Sequence, residues 1–97
     1  TAPLLKLTAH SNPKIRQSAV AAIGSLKVTA ASGQLLSLLK TDKVPMVREA
    51  AIKALANVGS SKMAEALELA TTDSDKGVRI AGLAILGEQN LEGKTVR

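Results

Sequence analysis

Three segments of this chain can be set under one another: Asn12-Pro13-Lys14-Ile15-Arg16, Val44-Pro45-Met46-Val47-Arg48 and Asp75-Lys76-Gly77-Val78-Arg79. Each ends in a β-branched aliphatic residue followed by arginine, and the arginines stand 32 and 31 residues apart. The match extends downstream through the small residues Ala19, Ala51 and Gly82, the large aliphatics Ile23, Leu55 and Leu86, and the small Gly24, Ala56 and Gly87. Upstream, Leu4, Leu36 and Leu67 align, as do Leu7, Leu39 and Ala70. A period of this length marks a repeat array, in which one supersecondary unit buries its apolar face against the next.

Each unit reads as two helices. In the second unit Val47, Ala51, Leu55 and Val58 follow steps of four, four and three and trace one helical face. Small residues at Ala51 and its equivalents let a neighbouring helix approach closely. Asn12 before Pro13 is an N-cap followed by proline at the first helical position, and Asp75 serves as the cap in the third unit. Pro45 marks the same place in the second unit, where Val44 is a poor cap. Gly59-Ser60-Ser61 reads as a terminating glycine followed by capping serines. The helices are expected near 2–9, 13–26, 31–40, 45–58, 61–71 and 75–88, with no period-two strand pattern in competition. The expected fold is therefore all-α: an α-solenoid of about three antiparallel helix pairs, with units near 1–27, 28–59 and 60–90. Residues 89–97 read as a link and the start of a truncated next unit. With a chain beginning at Thr1 and no polar capping repeat at either end, this suggests a fragment of a longer array.

Composition narrows the function. The chain of 97 residues is 45% hydrophobic yet has no Phe, Trp, Tyr or Cys. Its core must be aliphatic, and disulfides, thiolate metal sites, base-stacking platforms and aromatic cages are excluded. No apolar run approaches the ~18 residues of a membrane span, and no charged n-region followed by an apolar h-region is visible in these residues. Lack of cysteine fits either cytoplasm or periplasm, with the cytoplasm favoured.

The pattern resembles the HEAT-repeat family, in particular its short bacterial and archaeal form, the phycobiliprotein-lyase HEAT-like repeat. The residues that carry the resemblance are Asp42 to Leu55 (DKVPMVREAAIKAL) and Asp73 to Leu86 (DSDKGVRIAGLAIL), with His10 to Ile23 (HSNPKIRQSAVAAI) as a weaker copy. The resemblance implies that Asp42 and Asp73 lie in the turn between the two helices of a unit, and that Arg16, Arg48 and Arg79 form a ladder with such acids. A planar guanidinium suits that task, because it can bridge carboxylates and loop carbonyls of successive units. His10 stands at the first acidic position, a departure from the pattern.

Signals for chemistry are weak. The aligned arginines could bind anions, but their position tracks the repeat, which favours the structural role. His10 is the one histidine and is better read as a turn residue than as a metal ligand. The repeated His-Glu pairs of iron-binding HEAT-like hydroxylases are absent. Ser60 and Ser61 have no neighbouring histidine base. Gly82 to Gly87 has the first spacing of a phosphate loop, but Glu88 stands where lysine is required. Glu65 and Glu68 sit on an expected solvated face. No catalytic residue, cofactor or metal is therefore assigned.

The outward ridge of the second helices is more informative. Helical geometry places Lys14, Gln17, Ala21 and Ser25 there, then Met46, Glu49, Lys53 and Asn57, then Gly77, Ile80, Ala84 and Glu88. Despite a net charge of +5, the charged members of this ridge are two lysines and two glutamates, which gives no continuous positive row for phosphates. Met46, Glu49, Lys53, Ile80 and Ala84 are the expected protein-contact residues of a noncatalytic scaffold, binding another protein or another domain of its own parent. Missing neighbours of the array could instead cover Met46 and Ile80. Two alternatives remain: an accessory repeat domain of a larger enzyme, chromophore lyase-like or redox/haem, with its chemistry elsewhere; and nucleic-acid binding, resembling HEAT-like DNA glycosylases.

Overall fold

A computed structural model describes the backbone of residues 2–59 and 62–96 and the side chains of 5–59 and 62–88. It contains six α-helices: α1 (Ala2–Leu7), α2 (Pro13–Leu26), α3 (Ser32–Thr41), α4 (Pro45–Val58), α5 (Met63–Thr71) and α6 (Lys76–Val96). A 3-10 turn at Thr29–Ala31 leads into α3, and the described residues include no strand. The helices pair as α1–α2, α3–α4 and α5–α6, and successive pairs stack through α2 on α4 on α6 and through α3 on α5. The result is an open, slab-like α-solenoid with extents of 44 × 28 × 16 Å, in which α4 touches helices of all three pairs.

Local chemistry sets the helix ends. The Asn12 side chain accepts the Lys14 N–H at 2.9 Å, and Asp75 Oδ2 accepts the Val78 N–H at 3.0 Å, so both expected caps bond amides of the first turn. Val44 contributes no side-chain cap; its own N–H instead donates to Asp42 Oδ1 at 2.9 Å. Gly59 ends α4 in the left-handed conformation, and Lys27 takes that conformation at the end of α2 with φ 54°. The Lys27 and Val28 amides there close back onto Gly24 and Ile23.

The core is aliphatic and runs along the stack, with Val20, Ile23, Leu35, Val47, Ile52, Leu55 and Val78 fully buried. At about 1.5–3 kcal/mol for each fully buried side chain of this size, burial of this aliphatic stripe within and between the pairs is the main stabilising contribution. Two glycines permit close approach. A Cβ built on Gly24 would lie 3.0 Å from Ala54 Cα, and one built on Gly82 would lie 2.7 Å from Ala70 Cβ.

The expectation for residues 89–97 is corrected. In place of a link and the opening of a fourth pair, α6 continues unbroken to Val96. The stretch has no proline, and its Gln, Leu, Glu and Lys favour helix strongly enough to carry the single Gly93. The side chain of Leu4 and the capping role of Ser60 and Ser61 lie outside the described residues.

Candidate functional site

Two constructions are built on the second helices of the pairs: a ladder of charged side chains along the turns, and a groove between α2 and α4. In the ladder, Arg16 Nε and Nη2 donate to Asp42 Oδ2 and Oδ1 at 2.8 and 3.1 Å, while Nη1 donates to the carbonyls of His10 and Ser11. Arg48 repeats the arrangement one unit on, with Nε and Nη2 2.8 and 2.9 Å from Asp73 and Nη1 2.7 Å from the Asp42 carbonyl. Each arginine therefore fastens its own turn with one nitrogen and reaches forward to the aspartate of the following unit with its bidentate edge.

The rung between Arg48 and Asp73 is well shielded, with side-chain exposures of 12% and 9%. Burial by itself would push the Asp73 carboxyl up. The hydrogen bond from Arg48, the Asp75 N–H and the charges of Arg48 and Arg79 outweigh it and hold Asp73 below the usual carboxylate range. The same hydrogen bond raises Arg48, against its own burial. Arg79 departs from the expected ladder. Its Nη1 holds the Asp73 and Ser74 carbonyls at 2.8 and 2.9 Å, but among the described residues no carboxylate meets its Nε–Nη2 edge. The reason lies in the forward direction of the rungs, since the aspartate for Arg79 would belong to another unit.

The first turn shows why a histidine can replace the acid. His10 Nδ1 accepts the Asn12 N–H at 3.0 Å. Asp42 Oδ1 and Asp73 Oδ1 accept the equivalent amides of Val44 and Asp75, both at 2.9 Å. His10 thus preserves the turn while lacking the second oxygen that would face a guanidinium.

The groove has a volume of about 370 Å³. Gln17, Ala21 and Ser25 of α2 form one wall, and Met46, Glu49, Lys53 and Asn57 of α4 form the other. Gly24, Ala50 and Ala54 complete the lining, and the close approach of Gly24 to Ala54 draws the two helices together there. Exposed Lys53 Nζ lies 3.0 Å from Glu49 Oε2, an i,i+4 pair on the rim, and Met46 is an exposed apolar side chain beside it. Met46, Glu49 and Lys53 are thereby brought to one place. Ile80 and Ala84 are also exposed, but they stand on α6 and do not line this groove. Ridge residues Gln17, Ser25 and Asn57 were legible from periodicity, whereas Gly24, Ala50 and Ala54 were not assigned to the ridge.

What the groove can offer is an apolar contact at Met46, amide and hydroxyl hydrogen bonds, and one charge of each sign. Among the described residues, no group of three or more His, Cys, Asp or Glu could hold a metal ion. Among those residues, too, no helix is long and apolar enough to cross a membrane.

No curated protein matches the chain. A family model described as HEAT repeats matches residues 1–87, the span that holds the first two helix pairs, α5, the first part of α6 and both closed rungs. On that match and on this architecture, the chain belongs to the HEAT-repeat family.

Proposed function

We propose that this chain is a noncatalytic scaffold segment that binds a protein, or another domain of its own parent, through the groove between α2 and α4 and the neighbouring ridge of α6. HEAT repeats generally serve as scaffold and protein-interaction modules. The observation that carries the reading here is the convergence of Met46, Glu49 and Lys53 on one recess with a floor of small residues. An exposed thioether flanked by opposite charges, in a recess large enough for one or two side chains, suits protein recognition. The stacked pairs hold these groups at fixed spacing, which lowers the ordering penalty on binding. Lys53 and Glu49 neutralise each other on the rim, and this weighs against a phosphate-tracking role.

The test is a charge exchange. The double variant Glu49→Lys, Lys53→Glu preserves the i,i+4 pair and so leaves the fold in place, which circular dichroism checks. Partners captured by the wild-type chain are identified by mass spectrometry, purified and titrated against both proteins. Affinity is expected to fall roughly ten-fold or more, the equivalent of about 1.4 kcal/mol. Equal affinity of the two proteins would remove the groove from consideration.

A further inference from the structure

The charge of the chain is unevenly placed. Segments 6–16, 40–48 and 73–79, which hold the turns between the two helices of each pair, carry eight Lys and Arg against three Asp and no Glu. The remaining residues carry five basic and five acidic side chains, so the whole net charge of +5 belongs to one edge of the slab. Pairing sharpens the asymmetry. Asp42 and Asp73 are taken by Arg16 and Arg48, and Asp75 is half-buried, with its Oδ2 accepting the Val78 N–H. Lys6, Lys14, Lys43 and Lys76 are exposed, and among the described residues no carboxylate pairs with them. The exposed acids Glu65, Glu68 and Glu88 all stand outside these segments.

The rungs fix how these lysines are arrayed. The Arg16–Asp42 and Arg48–Asp73 bonds hold the first turn against the second and the second against the third. The turns that carry Lys14, Lys43 and Lys76 thus follow one another at the spacing of packed helices, about 8–10 Å. This edge runs alongside the stack, so a further unit at either end would lengthen the row and leave it uncovered.

We propose that the turn edge is a docking surface for an extended acidic segment of a partner protein, with carboxylates three residues apart facing Lys14, Lys43 and Lys76. In an extended chain of polyproline II geometry, with three residues per turn and a rise of about 3.1 Å, every third side chain falls on one face about 9 Å from the last. That step matches the step between turns. Charge complementarity selects the acids and steers the encounter. Nucleic acid fits less well. Duplex DNA carries about one charge per 1.7 Å of axis, several for each lysine of the row, and the chain has no aromatic side chain on which single-stranded bases could stack. A second copy of this chain also fits poorly: its Asp42 and Asp73 are occupied, and Glu65 and Glu68 are held in α5, where three residues advance only about 4.5 Å. None of the four lysines lines the α2–α4 groove, so either surface can fail without the other.

The probe is a labelled peptide of about twelve residues with glutamate at every third position, serine elsewhere and blocked ends. Its fluorescence anisotropy is followed at low ionic strength with three proteins, each checked for folding by circular dichroism. These are the wild-type chain, the edge variant Lys14→Gln, Lys43→Gln, Lys76→Gln, and the control Lys27→Gln, Lys62→Gln, Lys94→Gln, which loses the same charge away from the edge. The edge variant is expected to bind roughly ten-fold or more weakly than the other two, and wild-type binding should weaken as salt is added. Equal loss in the two triple variants overturns the proposal, because net charge alone would then explain binding. No binding by the wild type overturns it as well. So does tighter binding of a peptide with the same glutamates gathered in one run, or of single-stranded DNA of equal charge.

Discussion

Replacing Asp73 by alanine removes one rung of the ladder, and its effect can be worked from the contacts that disappear. Two charge-assisted bonds from Arg48, at 2.8 and 2.9 Å, and the bond from the Asp75 N–H at 2.9 Å are lost together. The Arg48 side chain, 12% exposed, retains the Asp42 carbonyl but leaves its Nε–Nη2 edge with little access to water. Truncating one partner of a fully buried pair typically costs about 3–5 kcal/mol, and a single hydrogen bond to a charged group contributes about 1.5–3 kcal/mol. The residual exposure places Asp73→Ala at about 2–4 kcal/mol, a large share of the ~5–15 kcal/mol that holds a domain together. Asp73→Asn keeps an acceptor for the Asp75 amide and should lose only about 1–2 kcal/mol. Urea unfolding followed by circular dichroism at neutral pH measures both. With a slope near ~2 kcal/mol per molar, the alanine midpoint should fall by about 1–2 M. The control is Glu49→Ala, which breaks the exposed pair with Lys53 and should stay within about 0.5 kcal/mol. If Asp73→Ala shifts the midpoint no more than Glu49→Ala, the ladder does not fasten pair to pair and the account of the stack is wrong.

Two further outcomes follow from the same structure. Asp73 is held below its ordinary carboxylate value in the folded chain, so its contribution is fully present above the unfolded value near ~3.9 and is lost as pH falls through the lower folded value. The stability gap between wild type and Asp73→Asn should therefore shrink as pH is lowered from about 6 to about 3, and a constant gap across that range would contradict the assignment. Two glycines of α6 should respond differently to alanine in thermal unfolding. Gly87 has nothing within 4 Å of an added Cβ, so Gly87→Ala should stabilise by about 0.5–1 kcal/mol through helix propensity. Gly82→Ala sets its Cβ 2.7 Å from that of Ala70, so overpacking of about 1–3 kcal/mol should offset or exceed the same gain. A Gly82→Ala variant stabilised as much as Gly87→Ala would show that α5 and α6 are not closely packed.

The period of the isoleucine- or valine-arginine pairs, the caps at Asn12 and Asp75 and the aliphatic faces were sufficient to read helix pairs and their order of stacking. These are local or strictly periodic properties: a cap bonds amides within one turn, and a buried stripe recurs wherever the helix does. The same periodicity marked Met46, Glu49 and Lys53 as outward-facing. It could not reveal that small residues of two different helices would open a groove beneath them, because the approach of Gly24 to Ala54 is a distance between separate units. Nor could the repeat indicate the direction of the ladder. Arg48 has Asp42 and Asp73 both available in sequence, and only the stacking offset makes one a carbonyl acceptor for Nη1–H and the other a bidentate carboxylate. The continuation of α6 past Glu88 was not legible from the period of the earlier units, because the residues of that stretch favour helix by themselves. What this sequence determined alone was everything that repeats. What the tertiary structure decided was how non-equivalent neighbours meet, since burial and pairing depend on which surface lies opposite as well as on the residue itself.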